Sequence, residues 1–323
     1  MQFQEKDTAN MPKSLEQMSS EEIAKKVQMS KVSTQTLKSL TEGFTDEGFE
    51  WFLPVIFSKS TDPLWPDPGA SIEKRIEIEI YGETVRTMQS MIVHKIVACS
   101  LAYPKFFALS PNVRIEKRER QSTGRHAYEF TQLDFEARNA SSKDIRSIVE
   151  RILCKLIGDL RKKQKEELQY LGRHDSLIIP EVPFKVYDRE ELEGKWGKEW
   201  ESKLPTQIDA PTWVTNIPRE FYDFEDVISN KWDNYDLILP EYGEVLSGAK
   251  REWQYDKISN KIKRDGIKEE NYKLLLALAK EGRLKPTTGA GIGVERLVSW
   301  LVGAKHVGEV QPFPKIPGIV YEL

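Results

Sequence analysis

Residues 289–298 read GAGIGVERLV. Three alternate glycines precede a predicted helix that begins with Glu295 and Arg296. Glycine leaves one face of a strand bare, so a flat ligand can approach the backbone closely. An arginine at the start of the next helix can contact a phosphate or cover a base. A tight structural turn would give the same glycine spacing, so this stretch alone does not establish a nucleotide site.

A second stretch has the same character and lies earlier in the chain. Residues 107–116 read FALSPNVRIE, and residues 124–136 read GRHAYEFTQLDFE. We predict a pair of antiparallel strands, whose alternate side chains share a face. The side chains that can share one face are Arg114, Glu116, Phe130, Asp134 and Glu136. A guanidinium, an aromatic ring and carboxylates on an open sheet face can hold a nucleoside triphosphate, although a surface strand can carry the same pattern by chance.

The remaining pattern predicts one large domain. Meandering strands and helices alternate without a βαβ repeat, which favours an antiparallel sheet covered by helices. We predict a polar N-terminal arm over residues 1–34 and a catalytic domain over residues 35–323. The apolar stripe of residues 145–160 has helical spacing and indicates core packing.

Composition limits the class of protein. Hydrophobic residues make up 39% of the 323 residues, enough for a substantial core. The net charge of −3 gives no overall attraction to nucleic acid or to an anionic membrane. No apolar run approaches the roughly 18 residues that span a bilayer, and no secretory signal is visible. We therefore expect a soluble cytoplasmic protein without a membrane partner.

Taken together and in this order, the two stretches resemble motifs 2 and 3 of class II aminoacyl-tRNA synthetases, in the aspartyl and asparaginyl branch. Residues 49–54 fall where motif 1 ends in its proline, and residues 89–95 are similar to a stretch of the aspartyl enzymes. Residues 236–252 resemble the branch's metal and amino-acid segment. The resemblance runs from about residue 35 to 320. It implies an α+β class II catalytic core, with an antiparallel sheet of the six-stranded type flanked by helices, and a homodimer formed through the motif 1 region.

The resemblance also implies roles for individual residues. Arg114 and Arg296 are the implied catalytic residues, with Arg114 on the α-phosphate of ATP and Arg296 opposite Phe130 across the adenine. The implied nucleotide contacts are Arg114, Glu116, Arg125, His126, Phe130 and Arg296. The implied Mg²⁺ ligands are Asp236 and Glu244. The implied amino-acid contacts are Asp62, Gln89, Lys95, Ser247 and Arg251.

Lys95 is the strongest indication of the substrate. Aspartyl enzymes have a lysine at the matched position, and we expect asparaginyl enzymes to lack it. Lys95 and Arg251 would place two cations around a side-chain carboxylate, which favours aspartate over neutral asparagine. A surface lysine on a helix is the alternative interpretation.

Several positions depart from the branch. The chain begins almost at motif 1, so we expect no anticodon-binding domain of the OB-fold type. The motif 2 loop is longer than in the branch by about three residues. Ile92 replaces a glutamine, and Gly308 and Lys315 replace arginines. These differences make the charging of tRNA less expected than adenylate formation.

A core of this kind resembles the archaeal asparagine synthetases related to asparaginyl-tRNA synthetase. This resemblance implies an aspartate–ammonia ligase that makes asparagine from aspartate, ammonia and ATP through an aspartyl-adenylate, releasing AMP and diphosphate. Mg²⁺ is the implied metal, and tRNA is not an expected partner. Two alternatives stay open: an enzyme that transfers an activated amino acid to tRNA or protein, and a non-catalytic amino-acid sensor. The motif arginines and metal carboxylates argue against the sensor.

Overall fold

The computed structural model describes residues 11–60, 72–226 and 228–322. Its helices are α1 (Ser20–Asp46), α2 (Ile92–Leu101), α3 (Ser142–Lys163), α4 (Lys165–Tyr170), α5 (Arg189–Trp196), α6 (Trp200–Lys203), α7 (Tyr255–Arg264), α8 (Lys273–Lys280) and α9 (Val294–Val302). Its strands are β1 (Glu50–Phe52), β2 (Phe57–Ser58), β3 (Ile72–Lys74), β4 (Glu77–Ile80), β5 (Glu83–Thr87), β6 (Lys105–Val113), β7 (Ile115–Glu116), β8 (Glu129–Arg138), β9 (Lys185–Asp188), β10 (Thr212–Thr215), β11 (Glu225–Asp226), β12 (Lys231–Trp232), β13 (Asn234–Leu239), β14 (Gly243–Lys250) and β15 (Thr287–Gly293).

The main sheet of the described residues has eight strands, in the order β1-β6-β8-β15-β14-β13-β10-β9. The strands from β6 to β10 in this order pair antiparallel. The edge strands β1 and β9 add to them in parallel. The predicted α+β class is therefore confirmed, while the expected six strands are corrected to eight. The two edge strands were not expected for different reasons. No sequence pattern indicates that β1 joins the main sheet, and β9 is a short strand in a region with several prolines.

The two faces of the sheet differ because side chains alternate along each strand. On β8, Leu133, Phe135 and Ala137 belong to the main hydrophobic core. The Phe135 ring lies 4.6 Å, between centroids, from the ring of Phe44 on α1, so this face packs against the helices. Asp134 and Glu136 point to the opposite face by the same alternation, and that face carries the polar residues.

The first long helix begins earlier than the sequence predicts. Ser19 caps the N-terminus of α1 in a capping box with Glu22. Met29 and Val32 are buried in the main core, although they lie within the segment predicted as a polar arm. The predicted boundary at residue 34 falls inside this continuous helix, because charged residues on its outer face hide the apolar positions.

A second hydrophobic core packs the elements that lie over the polar face of the sheet. It joins α2, α7 and α8 to residues 221–222, with Ile96, Phe221 and Ile262 buried at its centre. This packing fixes α2 and the segment after β10 over the sheet. No helix within the described part of the chain has the length and apolar character to cross a membrane.

Candidate active site

A cavity of about 230 Å³ lies over the polar face of the sheet. Strands β8, β14 and β15 supply its floor, and α2, the 114–127 segment and the segment after β10 supply its walls. The structure brings most of the predicted site residues to this one cavity. Those that line it are Lys95, Arg114, Glu116, Arg125, His126, Phe130, Glu244, Ser247, Arg251 and Arg296.

The alternate glycines of β15 make room mainly for side chains of the protein itself. A Cβ atom on Gly289 would lie 2.2 Å from Oε2 of Glu136, so a larger residue there would displace this carboxylate. A Cβ on Gly291 would lie 3.0 Å from Nε2 of Gln132. Gly291 and Gly293 do line the cavity, as the sequence pattern predicts. The glycines therefore leave space both for the cavity and for the buried polar side chains beneath it.

Arg114 and Phe130 are held together at one end of the cavity. Arg114 directly follows β6, which pairs with β8 so that Asn112 lies opposite Phe130. The Arg114 guanidinium lies over the Phe130 ring, 5.1 Å from its centroid, and its Nε donates to the backbone oxygen of Gln89 at 3.0 Å. A flat aromatic ring beside a fixed cation suits a purine base attached to a phosphate.

Arg296 lies in the same part of the cavity. Its Nε donates to the backbone oxygen of Arg125 at 3.2 Å, and its Nη1 donates to Oε2 of Glu244 at 2.9 Å. Burial, and then the charge of Arg296, lower the pKa of His126 to about 3. The imidazole is therefore neutral at pH 7 and is available for hydrogen bonding. The region is rich in cations that a triphosphate can neutralise.

The two predicted metal carboxylates are both engaged with arginines. Glu244 faces Arg296, and although burial raises its pKa, Arg296 and Arg125 hold that pKa below the usual value. Asp236 accepts from Arg219 and does not line the cavity. Burial raises the pKa of Asp236 to about 7, against the opposing effect of Arg219. Among the described residues, no three His, Cys, Asp or Glu side chains form a group that could hold a metal ion. Glu244 lines the cavity and suits a Mg²⁺ ion carried on phosphate oxygens, whereas Asp236 lies outside the lining.

Lys95 reaches the floor of the cavity from α2. Its Nζ donates to Oδ1 of Asp134 at 2.7 Å and to the backbone oxygen of Ala290 at 2.9 Å. Only 2% of each side chain of the Lys95–Asp134 pair is exposed. The expected free cation is therefore an ion-paired one, although part of the donor capacity of the ammonium group remains unused.

Arg251 is paired in a similar way. Its Nη1 donates to Asp223 at 2.6 Å, its Nε donates to Glu136 at 3.3 Å, and its Nη2 donates to the backbone oxygen of Gly289 at 3.0 Å. Burial raises the pKa of Asp223 to about 6, and Arg251 opposes this shift. The two cations expected around a substrate carboxylate thus both line the cavity, but each is already neutralised by a carboxylate of the protein.

Three buried acceptor atoms on β8 have no donor among the described residues. They are Oε1 of Gln132, Oδ2 of Asp134 and Oε2 of Glu136. Gln132 and Asp134 line the cavity. Buried acceptors without partners are costly, so these atoms are suited to an ammonium or amide group of a ligand.

One predicted amino-acid contact, Gln89, is not brought to the cavity. Gln89 is buried outside the lining, and its backbone oxygen holds Arg114 instead of contacting a ligand itself. Asp62 lies outside the described residues. Conversely, the cavity contains residues that the site prediction omitted, namely Gln132, Asp134, Arg219, Glu220, Asp223 and Glu295. Asp134 could have been predicted from the sequence, because strand alternation places it on the same face as Phe130. Arg219 and Asp223 lie in a segment without strand or helix periodicity, so no sequence pattern indicated them.

Comparison with known proteins gives a consistent result. A family model described as tRNA synthetases class II (D, K and N) matches residues 13–317. The asparagine–tRNA ligase of Thermococcus kodakarensis is 28% identical over 313 residues, which cover 90% of this chain and 69% of that protein. The asparagine–tRNA ligase of Pyrococcus abyssi is 28% identical over 312 residues, with the same coverage of both chains.

Solved structures are similar over nearly the whole chain. The asparaginyl-tRNA synthetase from Pyrococcus horikoshii complexed with asparaginyl-adenylate has a TM-score of 0.81 and 26% identity, covering 97% of this chain and 76% of that one. An aspartyl-tRNA synthetase from Entamoeba histolytica has a TM-score of 0.70 at 20% identity, covering 90% of this chain and 59% of that one. At that identity the second similarity concerns the fold alone.

Proposed function

This chain belongs to the class II tRNA synthetases of the D, K and N type, and from that premise we propose that it activates aspartate with ATP as an aspartyl-adenylate. The family match bears out two predictions, the class II catalytic-core fold and an enzyme of the ligase class. We further propose that ammonia accepts the aspartyl group, so that the products are asparagine, AMP and diphosphate. The single observation that carries the choice of aspartate is the Lys95–Asp134 pair on the cavity floor.

The choice between aspartate and asparagine rests on hydrogen-bond chemistry. Lys95 and Arg251 can only donate, and both keep unused N–H groups. A carboxylate offers two acceptor oxygens, one for each of these donor groups, whereas a carboxamide offers one oxygen and presents its NH₂ donor to the other group. The unpartnered oxygens of Gln132 and Asp134 then accept from the α-ammonium group of the substrate. This arrangement favours aspartate.

The nucleotide end of the cavity supports in-line attack on the α-phosphate. We assign Phe130 to the adenine ring, and Arg114 and Arg296 to the α-phosphate, where negative charge accumulates in the transition state. We assign Glu116, Arg125 and His126, which also line the cavity, to the rest of the nucleotide. Mg²⁺, when bound with ATP, supplies charge neutralisation at the phosphate oxygens, and Glu244 is the residue that would hold it.

The proposed steps balance without a nucleophile from the protein. One oxygen of the β-carboxylate keeps its contact with Lys95 while the other attacks the α-phosphorus, and the bond to diphosphate breaks. Ammonia then attacks the acyl carbon, the bond from that carbon to the phosphate oxygen breaks, and AMP leaves as an anion. The surplus proton on nitrogen passes to solvent. The protein therefore needs to orient and neutralise charge, which is what its arginines and Lys95 are placed to do.

A second candidate is attachment of asparagine to tRNA. The observation that favours it is that curated relatives at 28% identity are asparagine–tRNA ligases. ATP–diphosphate exchange measured separately with aspartate and with asparagine separates the two. Exchange that is faster with aspartate supports the proposal, and exchange that is faster with asparagine contradicts it. A homodimer and a cytoplasmic location remain parts of the proposal.

A further inference from the structure

Asp236, one of the two carboxylates predicted to bind Mg²⁺, already faces a cation of the protein. The Nη2 atom of Arg219 lies 2.5 Å from Oδ2 of Asp236. The Asp236 side chain is 8% exposed and lies outside the cavity lining, whereas Arg219 is 29% exposed and lines the cavity. An ion entering from the cavity would therefore meet the guanidinium before it met this carboxylate.

The backbone on both sides of Arg219 is anchored, so the pair is not a chance contact of a free side chain. Ile217 donates its backbone N–H to the Asn234 side chain at 2.9 Å, and Asn234 donates back to the Ile217 oxygen at 2.5 Å. Asn234 lies two residues before Asp236 on β13 and so faces the same side of the strand. On the other side, Phe221 is fully buried in the second core.

The local charges also fit a built-in cation. Glu244, the other predicted metal ligand, and Glu220 line the cavity together with Arg219. Without a positive charge at this place, Asp236 would be a buried carboxylate near a second carboxylate, which is strongly unfavourable. A guanidinium can neutralise Asp236 and still present N–H groups to phosphate oxygens, because its donors point in several directions.

We infer that Arg219 takes the place of a metal ion beside Asp236 and binds phosphate oxygens of ATP, and that Asp236 is a positioning residue for Arg219. This inference rests on the proposed function only in that ATP must bind in the cavity. It assigns metal binding to the Glu244 side of the site alone. It also predicts that Asp236 influences nucleotide binding only through Arg219.

The test is equilibrium binding of α,β-methylene ATP, an analogue that cannot react, over a range of Mg²⁺ concentrations. The proteins are the wild type, Arg219→Met, Asp236→Asn and the double variant. Arg219→Met should weaken analogue binding at saturating Mg²⁺ by roughly tenfold or more, as expected for a lost charged hydrogen bond. Asp236→Asn should weaken binding in the wild-type background and have no further effect in the Arg219→Met background. The Mg²⁺ concentration at half-maximal binding should be unchanged by Asp236→Asn.

The inference is overturned if Asp236→Asn raises the Mg²⁺ requirement in both backgrounds, or if Arg219→Met binds the analogue as tightly as the wild type does. If the wild type does not bind the analogue at all, the proposed function and this inference fail together, and that result appears before any variant is compared. Arg151→Met removes a similar ion pair, to Glu47, from an exposed site far from the lining, and serves as the matched control. Arg219→Lys keeps the charge and provides a folded comparison if Arg219→Met is unstable; its binding should lie between that of the wild type and that of the double variant.

Discussion

The ammonium nitrogen of Lys95 lies 2.7 Å from the Oδ1 atom of Asp134, and both side chains are almost fully buried on the floor of the cavity. The residues belong to different elements, α2 and β8. Removing either partner alone would leave an uncompensated buried charge, which costs about 3–5 kcal/mol. The pair therefore couples the stability of the domain to the chemistry of the proposed amino-acid site.

Lys95 should select aspartate over asparagine. Because Lys95→Met alone would strand the Asp134 carboxylate, we test the double variant Lys95→Met with Asp134→Asn, which removes both charges together. In this variant the activation free energy obtained from kcat/KM should rise by about 2 kcal/mol more for aspartate than for asparagine. The reason is that the cation stabilises the bound carboxylate of aspartate and not the carboxamide of asparagine. The measurement is kcat/KM for ATP–diphosphate exchange with each amino acid.

Asp134→Asn alone keeps the lysine and is compared with the double variant at a temperature where it is folded, because it leaves the Lys95 ammonium group without its carboxylate. It should retain a preference for aspartate, because the substrate carboxylate then has the Lys95 charge to itself. Equal losses for both amino acids in the double variant would show that Lys95 stabilises the fold and has no role in selection.

Arg114→Ala and Arg296→Ala should each abolish the formation of AMP. Both guanidinium groups line the cavity, and each would lose a contact made to the charge that develops on the α-phosphate. The expected cost is on the order of 3 kcal/mol or more, which is roughly a hundredfold or more in rate. Single-turnover release of AMP is the readout. Arg151→Ala, which removes an exposed ion pair with Glu47, should leave the rate unchanged; near-normal turnover in either cavity variant would reject the nucleotide site.

The positions of these arginines could be predicted from sequence because they lie in strand and helix patterns whose periods fix the direction of a side chain. Arg114 directly follows β6, which pairs with the strand of Phe130, and Arg296 lies in the first turn of the helix after the glycine strand. The partners of Lys95 and Arg251 could not be predicted in the same way. Lys95 and Asp134 are 39 positions apart, and Arg251 and Asp223 are 28 apart. No local sequence pattern connects the two members of either pair. The sequence therefore did not indicate that Lys95 and Arg251 are each neutralised by a carboxylate of the protein.

Elements at the edges of the fold were equally hard to predict. Strand β9 has four residues and pairs in parallel with β10 across an intervening helical segment, which leaves no hairpin signal. Arg219 lies between Pro218 and the buried Phe221 in a segment without strand or helix periodicity, so its approach to Asp236 is a property of the folded chain. Local periodicity predicted the central sheet, and tertiary packing determined the rest.

Glu295 should make stability depend on pH. Burial raises the pKa of Glu295 to about 7, although both of its carboxylate oxygens accept from the backbone N–H of Thr131. Because this pKa lies above the unfolded value of about 4.3, the stability that the group contributes is fully present below about pH 4.3 and is lost as the pH rises through about 7. The unfolding free energy of the wild type, relative to Glu295→Gln, should therefore fall between about pH 5 and pH 8.

Urea unfolding at several pH values measures this difference. Glu79→Gln, at an exposed position on β4, is the matched control and should leave the pH dependence as it is in the wild type. A constant difference between the wild type and Glu295→Gln across this pH range would contradict the assignment.

The protein should form a homodimer through the region around β1. Leu53 is 92% exposed, and Trp51, Ile56 and Phe57 beside it are also exposed apolar residues. Exposed apolar groups in one region indicate a contact surface. Leu53→Glu should shift the protein to a monomer in sedimentation at micromolar concentration. Ile178→Glu, at another exposed apolar position, should leave the dimer intact. A wild-type protein that sediments as a monomer would count against the dimer.

The proposed synthesis of asparagine can be measured by product analysis with purified protein, ATP, Mg²⁺, aspartate and ammonium in the absence of tRNA. We predict that free asparagine and AMP appear in equal amounts and that neither forms when aspartate or ammonium is left out. If AMP forms only after tRNA is added, or if asparagine is activated better than aspartate, the proposed synthesis of asparagine is contradicted and transfer to tRNA is the function.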